Sequence, residues 1–374
     1  MSEAAKKNII IIMIDGGRSD RASNSSIFNK LKEKGIFFSQ SITYGPHTIA
    51  AMHAVFSGTY GNRTGTNSYW STFKFKKEKF KTLTEYLHDK NYYTMADVVN
   101  KLVIPKQGFD EFLIHDELND NLTLRHCDFL TDMKKIESGG KNFFLYLQYS
   151  NIHTGIMNEV LKVYDNFSDE YFSNQEKNQQ RYDKLFENAE KYLETILQKI
   201  NSLEIDKNSL ILIMSDHGIS TGEKIGERAY GAFCYDYTLR TFTYFIYPEV
   251  QPIEIKQQIR TIDFMPTILE YLNISQSENF EKIDGESLFP LIKGESIEEK
   301  YAFSETGNPL KDKRPPENPN TKSIRSSKWK LIINEYDHSK EIYNLELDAS
   351  ETNNLIGTNL DIEEILWKEI QQYL

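Results

Sequence analysis

Two apolar runs in this chain each stop at residues that ligate metals, and nothing else in the sequence constrains the fold as much. Asn8-Ile9-Ile10-Ile11-Ile12-Met13-Ile14 gives way to Asp15-Gly16-Gly17, and much later Leu210-Ile211-Leu212-Ile213-Met214 gives way to Ser215-Asp216-His217-Gly218. A short β-branched run bounded by glycine reads as a strand buried on both faces of a parallel sheet. Ligands of such sheets bind just beyond the carboxyl ends of the strands. The acidic and imidazole groups at the two ends can therefore share one pocket. Either aspartate alone is equally a cap for a following helix or turn. The pair, with His217 beside the second, points to a metal site.

The rest of the pattern alternates strand and helix. Strands are predicted at 8–14, 92–99, 143–147, 210–214 and 241–247, with an extended piece from Ile36 to Phe38. Helices are predicted near 25–34, from Thr48 (placed as the N-cap) to Phe56, and over 82–90, 121–137, 181–201 and 261–272. The polar, Asn/Gln-rich stretch 157–180 reads as a surface lid or loop, and a Gly-rich loop runs through 231. After roughly residue 296 the pattern changes to short strands at 301–304, 323–326, 329–334 and 341–343, closed by a helix at 361–373. This predicts an α/β domain over 1–295, a mixed, mostly parallel sheet between helices, and a small α+β subdomain over 296–374.

The net charge is −11, from 44 basic and 55 acidic residues. That argues against nucleic acid as a partner, which needs a basic footprint. It leaves room for anionic small substrates, because a metal ion reverses the field locally. The two cysteines, Cys127 and Cys234, have no metal or redox spacing. No stretch is long enough to span a bilayer and no signal peptide is visible, so no membrane anchor and a cytoplasmic location are expected.

Thr48 is the candidate nucleophile. A hydroxyl at a helix N-terminus meets an anionic substrate where free N–H groups and the helix dipole favour negative charge. A divalent ion held by Asp15, Asp216 and His217 would lower its pKa. The competing reading is a plain Thr N-cap. His53, inside an apolar helix, reads as a core histidine. Arg63 is placed either to grip an anionic oxygen or to hold its loop by a salt bridge. Lys224 and Arg228, in the Gly-rich segment, are further candidates for anion contact.

In order along the chain, Ile14-Asp15-Gly16, Thr48 through Gly58 with Tyr60-Gly61-Asn62-Arg63-Thr64-Gly65, Gln107 through Phe112, and Asn151-Ile152-His153-Thr154 are followed by five further motifs. These are Ser215-Asp216-His217-Gly218, Thr238-Leu239-Arg240, Ile262 through Thr267, Asp284 through Leu288, and Lys340 through Leu355. The set resembles the sulfatase branch of the alkaline phosphatase superfamily. The resemblance implies one divalent ion (Mn, Zn, Ca or Mg) on Asp15, Asp216 and His217, with Thr48 as nucleophile and within the ion's reach. It also implies that His153 contacts the substrate or leaving group. Sulfatases carry a cysteine or serine converted to formylglycine, with Pro and Arg two and four positions on; here Thr48, Ala50 and Met52 stand there. The Lys and His of a further family motif are missing, and only Lys101 could substitute. The implied activity is hydrolysis of a phosphate mono- or diester through Thr48. The alternatives are a sulfuric ester hydrolase using unmodified threonine, or a catalytically silent relative binding an anionic glycan or metabolite.

Overall fold

In the computed structural model, residues 7–161, 169–227, 229–308, 316–358 and 361–374 are described. Strands β1 (Asn8–Ile14), β2 (Ile36–Ile42), β3 (Tyr93–Val98), β4 (Glu111–Ile114), β5 (Phe143–Tyr149), β6 (Ser209–Ser215), β7 (Arg240–Ile246), β8 (Ile253–Ile255) and β9 (Ile259–Arg260) form a nine-stranded sheet. Its order is β4-β3-β5-β1-β6-β7-β2-β8, with β9 on β2. The pairs β4–β3–β5–β1–β6 are parallel, whereas β7 runs antiparallel to both β6 and β2.

β1 lies in the middle because it is apolar on both faces. Ile10, Ile12 and Ile14 enter one core with Leu145, Leu147, Ile213 and the long helix Gln175–Ser202. Ile9, Ile11 and Met13 enter the other, with Val55, Phe56, Leu212 and the helix Phe264–Tyr271. This two-residue alternation is what a sheet covered by helices on both sides demands. Each buried isoleucine contributes about 1.5–3 kcal/mol from removal of apolar surface from water.

Strands β10 (Ala302–Thr306), β11 (Thr321–Arg325), β12 (Trp329–Asn334) and β13 (Ser339–Asn344) form a separate antiparallel sheet, covered by the helix Asp361–Ile370 through Leu366 and Ile370. A buried ion cluster fastens it to the large sheet. Asp236 accepts from Arg325 at 2.8 Å and from Lys330 at 2.9 Å, and Lys330 pairs with Glu351 at 2.8 Å.

Three expectations are corrected. Within the stretch 157–180, of which 162–168 lie outside the described residues, the chain is helical rather than looped over Ile156–Leu161 and Asp169–Ser173, and the long helix begins at Gln175 rather than 181. The link from β1 to the helix predicted near 25–34 is not all loop: Ser19–Asn24 is helical, and the predicted helix follows as Ser26–Lys32, capped by the Ser25 hydroxyl. Thr48 is not an N-cap. His47 takes that place, its ring accepting from the Ala50 N–H at 3.4 Å, and Thr48 is the first residue of the helix Thr48–Ser57. Among the described residues no helix is long and apolar enough to cross a membrane.

Candidate active site

Strand register brings the two aspartates together. Ile14 of β1 stands opposite Ser215 of β6, so the next residues, Asp15 and Asp216, leave the sheet side by side. On the other side Met13 stands opposite Gln148 of β5, which puts that amide beside Asp15. The backbone then turns sharply at Gly16, whose φ of +73° most residues avoid. The turn aims the Gly16 N–H at Asp216 Oδ1, 3.1 Å away. At the end of β6, Gly218 passes so close to the next strand's approach that a Cβ would lie 2.1 Å from the Tyr237 carbonyl oxygen.

Each carboxylate is half satisfied. Asp15 Oδ2 accepts from Gln148 Nε2 at 2.7 Å and faces the Thr48 hydroxyl at 3.4 Å; Asp216 Oδ1 accepts the N–H groups of Gly16 and His217. Asp15 Oδ1 and Asp216 Oδ2 are buried without a hydrogen-bond partner. Buried polar atoms are rarely left so. Burial, reinforced by the neighbouring Asp216 charge, pushes the Asp15 carboxyl up to about 8.

His217 completes the set. Its Nδ1 lies 2.8 Å from the Gly218 carbonyl, which can only accept, so Nδ1 carries a proton and Nε2 is the nitrogen left to face the carboxylates. That Nε2 is 3.4 Å from Thr48 Oγ1, 3.5 Å from Asp216 Oδ2 and 3.8 Å from Asp15 Oδ1. An imidazole held at one nitrogen, two carboxylates with free oxygens and a hydroxyl suit a hard or borderline divalent ion. One ligand atom from each of Asp15, Asp216 and His217 lies within 4.8 Å of the others. Nearby, burial and His217 push His47 down to about 3, so it adds no positive charge.

His153 sits in the short helix Asn151–Gly155 just beyond β5. Its Nε2 is 2.6 Å from the Tyr230 hydroxyl, and the Tyr230 ring lies over His217 with centroids 4.9 Å apart. Tyr230 thereby links His153 to the aspartate–histidine group. Burial holds the His153 imidazole below its ordinary range, opposed by Glu117, 3.8 Å from Nδ1.

The other nominated residues stand differently. Arg63 bonds the Asp284 carboxylate and the Lys282 carbonyl and packs over Phe80, so its guanidinium serves the salt-bridge role. Lys224 bonds the Glu351 carbonyl and lies over the Tyr235 and Tyr343 rings, toward the small sheet. The Lys101 side chain is exposed, and Arg228 lies outside the described residues. His53 is a core histidine, its Nε2 3.2 Å from the Leu102 carbonyl. Sequence reasoning missed Gln148 and Tyr230; the only available signal for Gln148 was a polar residue ending an otherwise apolar strand.

A second group, Asp97, His115 and His126, also brings three possible ligand atoms within 4.8 Å. Here each atom has a protein partner, and Arg125 bonds Asp97 at 2.9 Å, so a hydrogen-bond network accounts for it without an ion.

Comparison with known proteins bears on the fold and the family. Among solved structures, one captured with its substrate D-glucosamine-2-N,6-O-disulfate superposes with a TM-score of 0.74 at 17% identity, covering 98% of each chain. The Bacteroides fragilis protein yidJ gives 0.78 at 16% identity, over 100% of this chain and 96% of that one. The phosphonate monoester hydrolase of Agrobacterium radiobacter gives 0.75 at 13%, over 99% and 96%. These likenesses establish the fold. A Formosa agariphila protein named Sulfatase is 24% identical over 289 residues, 71% of this chain and 51% of that protein, so the chain spans about half the length of the curated relative it matches. The model named N-sulphoglucosamine sulphohydrolase, C-terminal, matches residues 229–374. The Sulfatase family model matches residues 7–274, and the chain belongs to the sulfatase family.

Proposed function

We propose that this protein is a metal-dependent hydrolase that cleaves a phosphate mono- or diester through Thr48. One observation carries the reading: the Thr48 hydroxyl is free of capping duty and faces Asp15 and His217 at 3.4 Å each, beside two unpartnered carboxylate oxygens. Asp15, Asp216 and His217 would hold one divalent ion, with Thr48 within reach. When bound, such an ion neutralises the carboxylates, acidifies a hydroxyl and polarises a phosphoryl oxygen.

The chain's own groups then divide the work. Thr48 Oγ1 forms a bond to phosphorus as the bond to the leaving oxygen breaks, and its proton passes to the carboxylate of Asp15 that it faces. The departing oxygen takes a proton at His153. Water next attacks the phosphothreonine, returning a proton to His153 as the Oγ1–phosphorus bond breaks, and Asp15 restores the Thr48 hydroxyl. Gln148 holds Asp15 in place, and Gly218 holds His217 by its Nδ1. Arg63, Lys224 and Lys101 have no part in these steps.

Thr48 also favours phosphate over sulfate. Its β-carbon carries a methyl group, so oxidation there gives a ketone and never the aldehyde of formylglycine. The family match favours the rival, a sulfuric ester hydrolase working with unmodified threonine. Aryl phosphate, phosphodiester, phosphonate and sulfate esters, offered with Mn, Zn, Ca or Mg, separate the two. Faster turnover of the sulfate ester than of every phosphorus ester would overturn the phosphate reading. A protein that binds no divalent ion and cleaves none of them would be a silent anion- or glycan-binding relative.

A further inference from the structure

The structure holds another buried ionic group that the steps above leave unused. Asp97, fully buried at the end of β3, accepts from His115 Nδ1 at 3.1 Å, His126 Nε2 at 3.0 Å and Arg125 Nη2 at 2.9 Å. Burial opposes ionisation of Asp97, yet these donors hold its carboxyl well below the usual range. Replacing such a group by apolar side chains is often neutral or stabilising, so stability alone is a weak reason for it.

Its connections lead toward the active site. A carboxylate only accepts, so His115 Nδ1 donates to Asp97, while its Nε2 is hydrogen-bonded with the Ser150 hydroxyl at 2.8 Å. Ser150 immediately precedes the helix Asn151–Gly155 that carries His153, and its carbonyl accepts the Thr154 N–H at 3.0 Å. Two residues beyond His115, Glu117 accepts from the Thr154 hydroxyl at 2.9 Å and lies 3.8 Å from His153 Nδ1. One imidazole thus anchors both the start of the His153 helix and the segment that presents Glu117. We propose that Asp97 and His115 are a positioning pair that sets the His153 imidazole and its Glu117 partner for departure of the leaving group. This inference rests on the ester-cleaving role proposed above.

Two substitutions divide the link. His115→Asn keeps a donor for Asp97 and drops the contact to Ser150; His115→Gln keeps an amide at Ser150 and drops Asp97. In the metal-loaded enzyme, His115→Asn should lower kcat on an alkyl phosphodiester by about tenfold or more with KM little changed, since small misplacements of a reacting group cost this much. Its loss on a 4-nitrophenyl ester should be small. In a His153→Ala background, His115→Asn should have no further effect, because the two act as one unit. An independent readout is the ring resonance of His153, assigned by its disappearance in His153→Gln. It should shift in both His115 variants, recorded well below each variant's own thermal midpoint so that only folded protein is compared. Additive losses in the double variant, or an unmoved His153 resonance in folded His115→Asn and His115→Gln, would overturn the proposal. If the parent cleaves none of the esters, the functional reading fails by itself, and the resonance still decides whether His115 positions His153.

Discussion

Thr48→Ala tests the site where local structure and chemistry disagree most. A threonine that capped its helix would cost about 1 kcal/mol on replacement by alanine. Here His47 is the cap, so that loss does not apply. Three small effects remain. Alanine has the higher helix propensity, by up to about 0.7 kcal/mol. Removing one mostly buried methyl group costs about 0.8 kcal/mol. The 3.4 Å hydroxyl contacts are long, and their loss costs less than about 1 kcal/mol. The sum is a loss of no more than about 2 kcal/mol, a shift of no more than a few degrees in Tm for a chain of this size. Turnover should nevertheless vanish, and the phosphoryl adduct seen by intact mass after quenching the parent should be absent. Thr48→Ser, which keeps the hydroxyl, should retain partial activity. Thermal and urea denaturation beside an ester assay make the comparison. Full activity in Thr48→Ala would place the nucleophile elsewhere, and a stability loss above about 2 kcal/mol would show that the hydroxyl serves the fold.

The other predictions draw on separate parts of the structure. Asp216→Asn keeps an acceptor for Gly16 and His217 but relieves the crowding with Asp15, so the metal-free variant should unfold no earlier than the parent. It should also lose the stabilisation that a divalent ion gives the parent, about 2.7 kcal/mol at a hundred times Kd, and an identical thermal shift in both proteins would rule out Asp216 as a ligand. His153→Ala should slow esters with poor leaving groups more than activated aryl esters, and equal losses on both would exclude a role at the leaving oxygen. Lys330→Met removes the buried partner of Asp236 and Glu351 and should cost about 3–5 kcal/mol in urea denaturation; a change below about 1 kcal/mol would show that Arg325 suffices.

What the sequence made legible follows from which physical signals survive in one dimension. The core strands did, because a strand buried on both faces has to be apolar at every position. Asp15, Asp216 and His217 were legible for the same reason: they stand just beyond such runs, and equal register carries the two aspartates out of the sheet together. The helix Gln175–Ser202 was legible only in part. Its first turns bury Asn178, whose amide bonds the Tyr171 and Thr221 carbonyls, and Tyr182, whose hydroxyl is held by Gly16 and Arg18. A helix buried through polar groups reads as solvent-exposed chain. Tyr230 and Asp97 were hidden in another way, since their partners come from segments that the sequence separates widely.

Thr48 shows why such failures gather at the site. Threonine is the better N-cap of the pair His47-Thr48, so a local rule starts the helix one residue too early. The chain accepts the poorer cap, a histidine whose ring reaches Ala50 at 3.4 Å. In return the Thr48 side chain is turned from its own backbone toward Asp15 and His217. A similar exchange is visible at Asp15, whose Oδ1 is left without a partner in the interior. Neither arrangement favours folding by itself, and the two meet at the same few ångströms. Local preference is overridden where a fold has another task, and here the departures converge on the hydroxyl, the imidazole nitrogen and the two free carboxylate oxygens that a bound cation would bring together.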